Sequence, residues 1–282
     1  MGKTVVITDS TAYIPSPLLV KHGIRVVPLS VVWGEEVMRD GVDILPPQFY
    51  ERLKTAKVMP STSQTTPEEF KKVFTPLIDG GDSILAVLIS SKLSGTVESA
   101  LQAREFFPKG KIEIIDTSTT AMALGFCALA AARAVQNGAE LAEAADAARK
   151  AVGSTGVIFV VDTLEFLRRG GRIGGAAAFL GTALNMKPLL TLQDGKVEAL
   201  DKVRTKRKAV ARMLDLIEQG AGSRRPLRIG TLQAAAEDEA RALLETAKER
   251  FSPDETVFSE VSPVIGTHVG PGTVGLAYCA GI

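Results

Sequence analysis

The strongest constraint on the fold is a rhythm in the first half of the chain. "TVVIT" (Thr4 to Thr8), "SILAVLIS" and "KIEIID" are short apolar runs, rich in β-branched and aliphatic residues, and polar residues follow each one. Runs of that length and composition read as strands. "IRVVPLSVVW" reads as a further extended segment. Between them, "PPQFYERLKTA" and "TTPEEFKKVFTPLI" meet proline early and then show helical spacing, with Thr66 as a cap before Pro67. Proline suits a first helical turn, where its missing N–H has no partner to lose. A helix from Gly95 or Thr96 and two Ala-rich helical stretches follow, from about Thr119 to Val135 and from about Leu141 to Val152. Continuous apolar strands alternating with helices predict a parallel sheet covered on both faces.

After Gly153 the rhythm changes. "GVIFVVD" is a strand, "TLEFLRRGGRIGG" a short helix broken by glycines, and "AAAFLGTALNM" an apolar helix. "KPLLTLQDGKVEALDKV" reads as two strands around Gln193-Asp194-Gly195, a hairpin signal. "TKRKAVARMLDLIEQG" and "EDEARALLETAKERF" are long helices, and "LRIGTL" and "TVFSEV" are strands. A hairpin beside long helices predicts a second α/β domain with a more antiparallel sheet. The boundary is placed between residues 153 and 154, giving domains 1–153 and 154–282. With 282 residues the chain is long enough for both.

Lys+Arg 33 against Asp+Glu 32 leaves a formal charge of +1, which does not call for nucleic acid or an anionic membrane. Cys127 and Cys279 lack CxxC spacing and read as buried packing residues, so a disulfide framework or structural zinc is not expected. The opening "MGKTVVITDS" lacks the form of a signal peptide. The uncharged, Ala-rich run between Asp116 and Arg133 is short of the ~18–20 residues that span a bilayer. These features lead to the expectation of a soluble cytoplasmic protein without metal or cofactor.

Three segments carry candidate chemistry. "SSKLSGT" (Ser90 to Thr96) lies where a parallel strand hands over to a helix, the place where ligands meet unpaired backbone N–H groups. Ser94 offers a hydroxyl, Gly95 lets a ligand approach the backbone, and Thr96 suits a cap; an ordinary capping turn explains the same residues. "MPSTSQTTPEE" places Ser61, Thr62, Ser63, Gln64 and Thr65 in a row before a helix. If both loops lie along one sheet edge, their hydroxyls face one pocket and suit a carboxylate or a single phosphate. "VIGTHVGPGTVG" has G-x-G-x-x-G spacing, but the chain ends seven residues later and no βαβ unit can follow. What remains is His268 in a glycine-rich loop. The other histidine, His22, sits at a helix end, where capping explains it. The basic segments "LRRGGRIGG" and "KVRTKRK" read as solvated faces or as a docking surface.

Taken together, "PSTSQ", "SSKLSGT", "VDTLEFLRRGGRIG", "LNMKPLLTLQDGKV", "KVRTKRKA" and "GTHVGPGTVG" resemble, in order and position, the DegV family of bacterial fatty-acid-binding proteins, which includes the FakB subunit of fatty acid kinase. The resemblance covers essentially the whole chain. It implies a two-domain α/β fold, with an N-terminal three-layer α/β/α parallel sheet and a C-terminal two-layer α/β mixed sheet. It also implies one long-chain fatty acid buried between the domains as ligand. By the same resemblance, Thr62, Ser94 and His268 hold the carboxylate, with Ser63, Gly95 and Thr96 supporting the pocket. Arg172 and Arg204 fall at head-group or partner-contact positions. A FakA-like kinase is the implied partner, with transient membrane contact, and the chain is a carrier that is not catalytic alone.

The residues themselves agree with that chemistry. A carboxylate needs donors that stay neutral or positive, and an acyl tail gains roughly 0.8 kcal/mol per buried CH₂ in a dry tunnel. "GGAAAFLGTALNMKPLL" has side chains suited to walling such a tunnel, or to a plain core helix. The rival reading is a serine hydrolase or acyltransferase with Ser94 as nucleophile and His268 as base. Against it, the chain has no G-x-S-x-G elbow. A dihydroxyacetone-kinase-like phosphotransfer module is a third reading; the chain has no P-loop and no carboxylate set for magnesium.

Overall fold

A computed structural model describes residues 2–181 and 186–282. The first half runs through β1 (Thr4–Asp9), a 3₁₀ turn (Ser10–Ala12), α1 (Ser16–His22), β2 (Arg25–Val27), β3 (Ser30–Trp33), β4 (Glu36–Arg39), α2 (Pro46–Lys54) and β5 (Ser61–Ser63). It continues through α3 (Pro67–Asp79), β6 (Ser83–Leu88), α4 (Thr96–Glu105), β7 (Ile112–Asp116), α5 (Ala121–Gln136) and α6 (Leu141–Val152). The second half holds β8 (Thr155–Val160), α7 (Glu165–Arg169), a 3₁₀ turn (Gly174–Phe179), β9 (Lys187–Gln193), β10 (Lys196–Val203) and α8 (Lys206–Ala221). β11 (Leu227–Gln233), α9 (Glu237–Phe251), β12 (Glu255–Val257), α10 (Pro263–Val269) and β13 (Val274–Ala280) complete it.

The first sheet has the order β2-β1-β6-β7, and every pairing is parallel. The period of two along β6 divides its side chains between two cores. Ile84, Ala86 and Leu88 pack with Phe70 and Phe74 of α3, while Leu85, Val87 and Ile89 point to the core that contains α5. Helices on both faces give the three-layer α/β/α arrangement.

The second sheet has the order β10-β9-β8-β13-β11-β12 and is mixed, with β11 and β12 its parallel pair. The hairpin forms as the Asp-Gly signal requires. Gln193 lies opposite Lys196, and Asp194 and Gly195 take φ of 50° and 80°. On one face Ile158, Val160 and Leu276 pack on Met213 and Ile217 of α8 and Leu243 of α9.

The other face of that sheet shares α5 with the first sheet. Val157, Phe159, Ala277 and Cys279 join the same core as Leu85 and Val87. Every residue from Ala121 to Leu129 is buried, and fully burying side chains such as Leu124 and Leu129 stabilises the fold by about 1.5–3 kcal/mol each. Small residues make the close fit possible: a β-carbon on Gly230 of β11 would press into Met122 and Phe126.

Four expectations need correction. "IRVVPLSVVW" is two strands in two sheets: β2 joins the parallel sheet, and β3 joins a three-stranded sheet of order β4-β3-β5. Pro28 separates them and has no N–H to continue a ladder. "PSTSQ" is not a plain loop, because Ser61–Ser63 form β5, with Thr62 opposite Val31. His268 lies in the last turn of α10, and the glycines follow it, Gly270 and Gly272 at φ 74° and 81°. "AAAFLGTALNM" is a 3₁₀ turn as far as Phe179, bracketed by Gly174 and Gly181 at positive φ. Residues 182–185 of that predicted helix lie outside the described residues.

Candidate ligand-binding site

The polar loops of the first sheet and the last helix of the chain meet between the two sheets. Thr62 is the middle residue of β5 and turns inward, while Ser61 and Ser63 stay exposed. α10 packs against α2, β3 and β5. It starts at Ser262, whose hydroxyl accepts from Ile265 N–H, with Pro263 in the first turn. Its last turn brings His268 Nε2 to 2.8 Å from Thr62 Oγ1.

Ser94 comes from the turn between β6 and α4. Asp9, buried at the end of β1, anchors the start of that turn by accepting from Ile89 N–H at 2.7 Å and from Thr11. Ser90 donates to the Gly195 carbonyl at 2.8 Å, which ties the turn to the hairpin of the second sheet. Thr96 is the first residue of α4 rather than its cap, and its hydroxyl pairs with Ser94 Oγ at 2.8 Å.

One cavity joins these groups. Thr62, Ser63, Gln64, Ser94, Thr120, Arg172 and His268 provide its polar lining. Aliphatic and aromatic side chains from both sheets line the rest, among them Ile89, Val157, Phe159, Leu192, Leu232 and Ile265. The interior is narrow, about 90 Å³, and about 820 Å³ when the space open to solvent at its mouth is included. Among the described residues, none of "GGAAAFLGTALNMKPLL" lines this cavity; Leu192 and Val197 of the following hairpin do.

Arg172 is held by backbone carbonyls, Nε donating to Leu93 at 3.1 Å and Nη1 to Gly170 at 2.7 Å. Among the described residues no carboxylate pairs with it. Its charge therefore remains uncompensated beside the hydroxyls. Burial, then the Arg172 guanidinium, pushes His268 down to about 4, so the imidazole is neutral at neutral pH. Its Nδ1 is buried without a partner against Gly170, where a β-carbon would collide with it. An N–H there would lack an acceptor, so the network places the proton on Nε2. Nε2–H then donates to Thr62 Oγ1, and the Thr62 O–H can donate into the cavity.

Gly95 does not line the cavity; it packs against the Gln64 side chain, which does. Arg204 lies exposed in the bend between β10 and α8 and lines none of this cavity. Sequence reasoning passed over Gln64 and Thr120 as site residues. The hydroxyl-rich turn "TSTT" after β7 was the signal for Thr120, whose buried Oγ1 lacks a partner. Ser94 Oγ pairs with Thr96 and His268 Nε2 with Thr62, so the hydrolase reading lacks its base-to-nucleophile contact. His22 ends α1 and bonds Gln136 at 2.7 Å, as a capping-region residue. Both cysteines are buried and unpaired. Among the described residues, no group of three His, Cys, Asp or Glu side chains is placed to hold a metal, and no helix is long and apolar enough to cross a membrane.

Donors at one end of a mostly apolar cavity, with a guanidinium beside them, suit an anionic head group on an apolar tail. Known proteins share this architecture. A DegV domain-containing protein of Streptomyces coelicolor is 41% identical over 273 residues, covering 96% of each chain. Protein DegV of Bacillus subtilis is 34% identical over 278 residues, covering 97% of this chain and 98% of the other. A DegV family protein from Thermus thermophilus, described for its fatty acid binding, superposes with a TM-score of 0.93 at 36% identity over 99% of both chains. DegV of Bacillus subtilis, described as a fatty acid binding protein, superposes with a TM-score of 0.91 at 32% identity over 99% of this chain and 100% of that one. A family model described as "Uncharacterised protein, DegV family COG1307" matches residues 3–281, and the chain belongs to the DegV family.

Proposed function

We propose that this protein carries one long-chain fatty acid, its carboxylate at Thr62, Ser94 and His268 and its tail between the two sheets. The observation that carries the reading is the Thr62–His268 hydrogen bond at the polar end of an otherwise apolar cavity. Neutral His268 fixes Thr62 as a donor, Ser94 supplies a second hydroxyl, and Arg172 offsets the negative charge. The fatty acid binding described for the relatives from Thermus thermophilus and Bacillus subtilis supports it.

The carrier presents the carboxylate to a kinase subunit. One carboxylate oxygen attacks the γ-phosphorus of ATP, ADP leaves, and an acyl phosphate remains. The attacking group is already ionised near neutral pH, because an ordinary carboxyl pKa is near 4, so positioning rather than proton removal is what the carrier contributes. A cytoplasmic location follows from ATP as co-substrate. In this reading the chain divides into units 1–153 and 154–282, with the ligand at their junction.

The test is to denature the purified protein and identify the released small molecules by mass spectrometry. One long-chain fatty acid per chain is expected. Folded protein that releases none and does not take up added oleate or palmitate would overturn the reading.

A further inference from the structure

Thr62 of β5 and Ser94 of the turn before α4 bring their hydroxyls to the ligand cavity from two separate segments. A hydroxyl carries one proton and acts as donor or acceptor. The direction of each proton decides which head group the cavity takes. For Thr62 the neighbour settles it: Nε2–H of neutral His268 donates to Oγ1, which leaves the Thr62 proton for the cavity.

Ser94 has a neighbour of its own. Its Oγ lies 2.8 Å from Thr96 Oγ1, a distance at which either atom can donate. Burial separates the two choices. Thr96, the first residue of α4, is fully buried and does not line the cavity. Its hydroxyl has no other hydrogen bond among the described residues. Ser94 is half-buried and lines the cavity. If Ser94 donated, the Thr96 proton would be left in the interior without an acceptor, which is costly. If Thr96 donates, its proton is satisfied, and the Ser94 proton faces a space that water or ligand can fill. The second arrangement is therefore the stable one. The turn holds Ser94 in place for it: Ser94 N–H donates to the Ser90 carbonyl at 3.1 Å, and the Ser90 hydroxyl is tied to Gly195.

We propose that Thr96 is a positioning residue: it donates to Ser94 Oγ and so commits the Ser94 proton to the bound head group, as His268 commits that of Thr62. This rests on the fatty acid reading of the site and adds to it the residue that sets the polarity of Ser94. The site then presents two hydroxyls fixed as donors, each backed by a buried donor from a different helix, α10 behind Thr62 and α4 behind Ser94. With Arg172 beside them, that set selects a group that only accepts and carries negative charge, an ionised carboxyl. An alcohol of the same chain offers one oxygen and no charge, and gains less from donors of fixed polarity.

The test is calorimetry of the full chain with oleate and with oleyl alcohol, for wild type, Thr96→Val and Thr96→Ser. Valine matches threonine in shape but has no hydroxyl, so Ser94 is free to turn its proton away from the ligand. Thr96→Val is expected to weaken oleate about tenfold and oleyl alcohol less than about threefold, the scale of one hydrogen bond to a charged acceptor against one to a neutral one. Thr96→Ser keeps the donor and should hold oleate within about threefold of wild type. In a Ser94→Ala background, where water takes the place of the missing oxygen, Thr96→Val should weaken oleate by less than about twofold more, because both changes act on one hydroxyl. The thermal midpoint of each ligand-free variant checks the fold, and if Thr96→Val does not fold, Thr96→Ala carries the comparison. Unchanged oleate affinity in Thr96→Val, an equal loss for oleyl alcohol, or a full further loss in the Ser94→Ala background would overturn the proposal. Wild type that binds neither ligand would overturn the fatty acid reading itself, a result distinct from those three.

Discussion

Thr62 and His268 are 206 residues apart in sequence, and their side chains meet at 2.8 Å. The contact joins the small sheet of the first half to the last helix of the chain. Because Nε2 is engaged with Thr62, the proposed binding mode has His268 act chiefly by orienting that hydroxyl. His268→Gln keeps a neutral donor of similar reach, whereas His268→Ala does not. Oleate affinity measured by calorimetry is expected to stay within about threefold of wild type for Gln and to fall about tenfold for Ala. A Gln variant as weak as Ala would return the histidine to a proton-transfer role.

In the proposed binding mode, Ser94→Ala and Thr62→Val each remove one hydroxyl donor to the ligand carboxylate. Each is expected to weaken fatty acid binding by about 1.5–3 kcal/mol, roughly 10–100-fold, while leaving the thermal midpoint of the ligand-free protein nearly unchanged. Tail burial retains the remaining affinity. Wild-type affinity in both variants would mean that the carboxylate sits elsewhere.

Gly170 lies in an ordinary backbone region, φ −73°, so alanine there is not strained. Its β-carbon would nonetheless collide with the His268 ring. Gly170→Ala is expected to push the imidazole away from Thr62 and to lower oleate affinity about tenfold, as His268→Ala does. Combining it with His268→Ala should add little further loss, because both changes break the same contact. Additive losses in the double-mutant cycle would refute that coupling.

Two buried groups give opposite pH dependences. His268 is pushed from 6.5 to about 4 in the fold, so the unfolded chain protonates first and stability is lost as pH falls from 6.5 toward 4. The full effect is about 3 kcal/mol. Asp40 is raised from 3.8 to about 7, so its contribution is present at low pH and lost as pH rises through that window. In urea unfolding, His268→Gln should gain on wild type more at pH 5 than at pH 8, and Asp40→Asn more at pH 8 than at pH 5. Either pattern reversed would show that the group does not titrate as its surroundings dictate.

Arg172 lines the cavity, whereas Arg204 is exposed beyond it. With a reconstituted kinase subunit, Arg172→Ala is expected to lower both oleate affinity and acyl phosphate formation. Arg204→Ala should lower only the second, through the docking face. Unchanged turnover in both variants would leave these arginines as solvated surface.

What the sequence by itself determined is local or repetitive. The unbroken apolar run in "SILAVLIS" and the proline-led helices announced a covered parallel sheet, and Asp194-Gly195 announced a hairpin, because backbone preferences and apolar patterning act over a few residues. The hydroxyl clusters at Thr62 and Ser94 were visible for the same reason. Tertiary structure alone decided that three-residue Ser61–Ser63 is a strand, since its pairing partner β3 lies about thirty residues earlier. It alone placed α5 between two sheets, put Thr120 into the cavity, and set His268 on a helix against Gly170. Those outcomes depend on packing between segments far apart in the chain, and no local pattern encodes which surfaces meet.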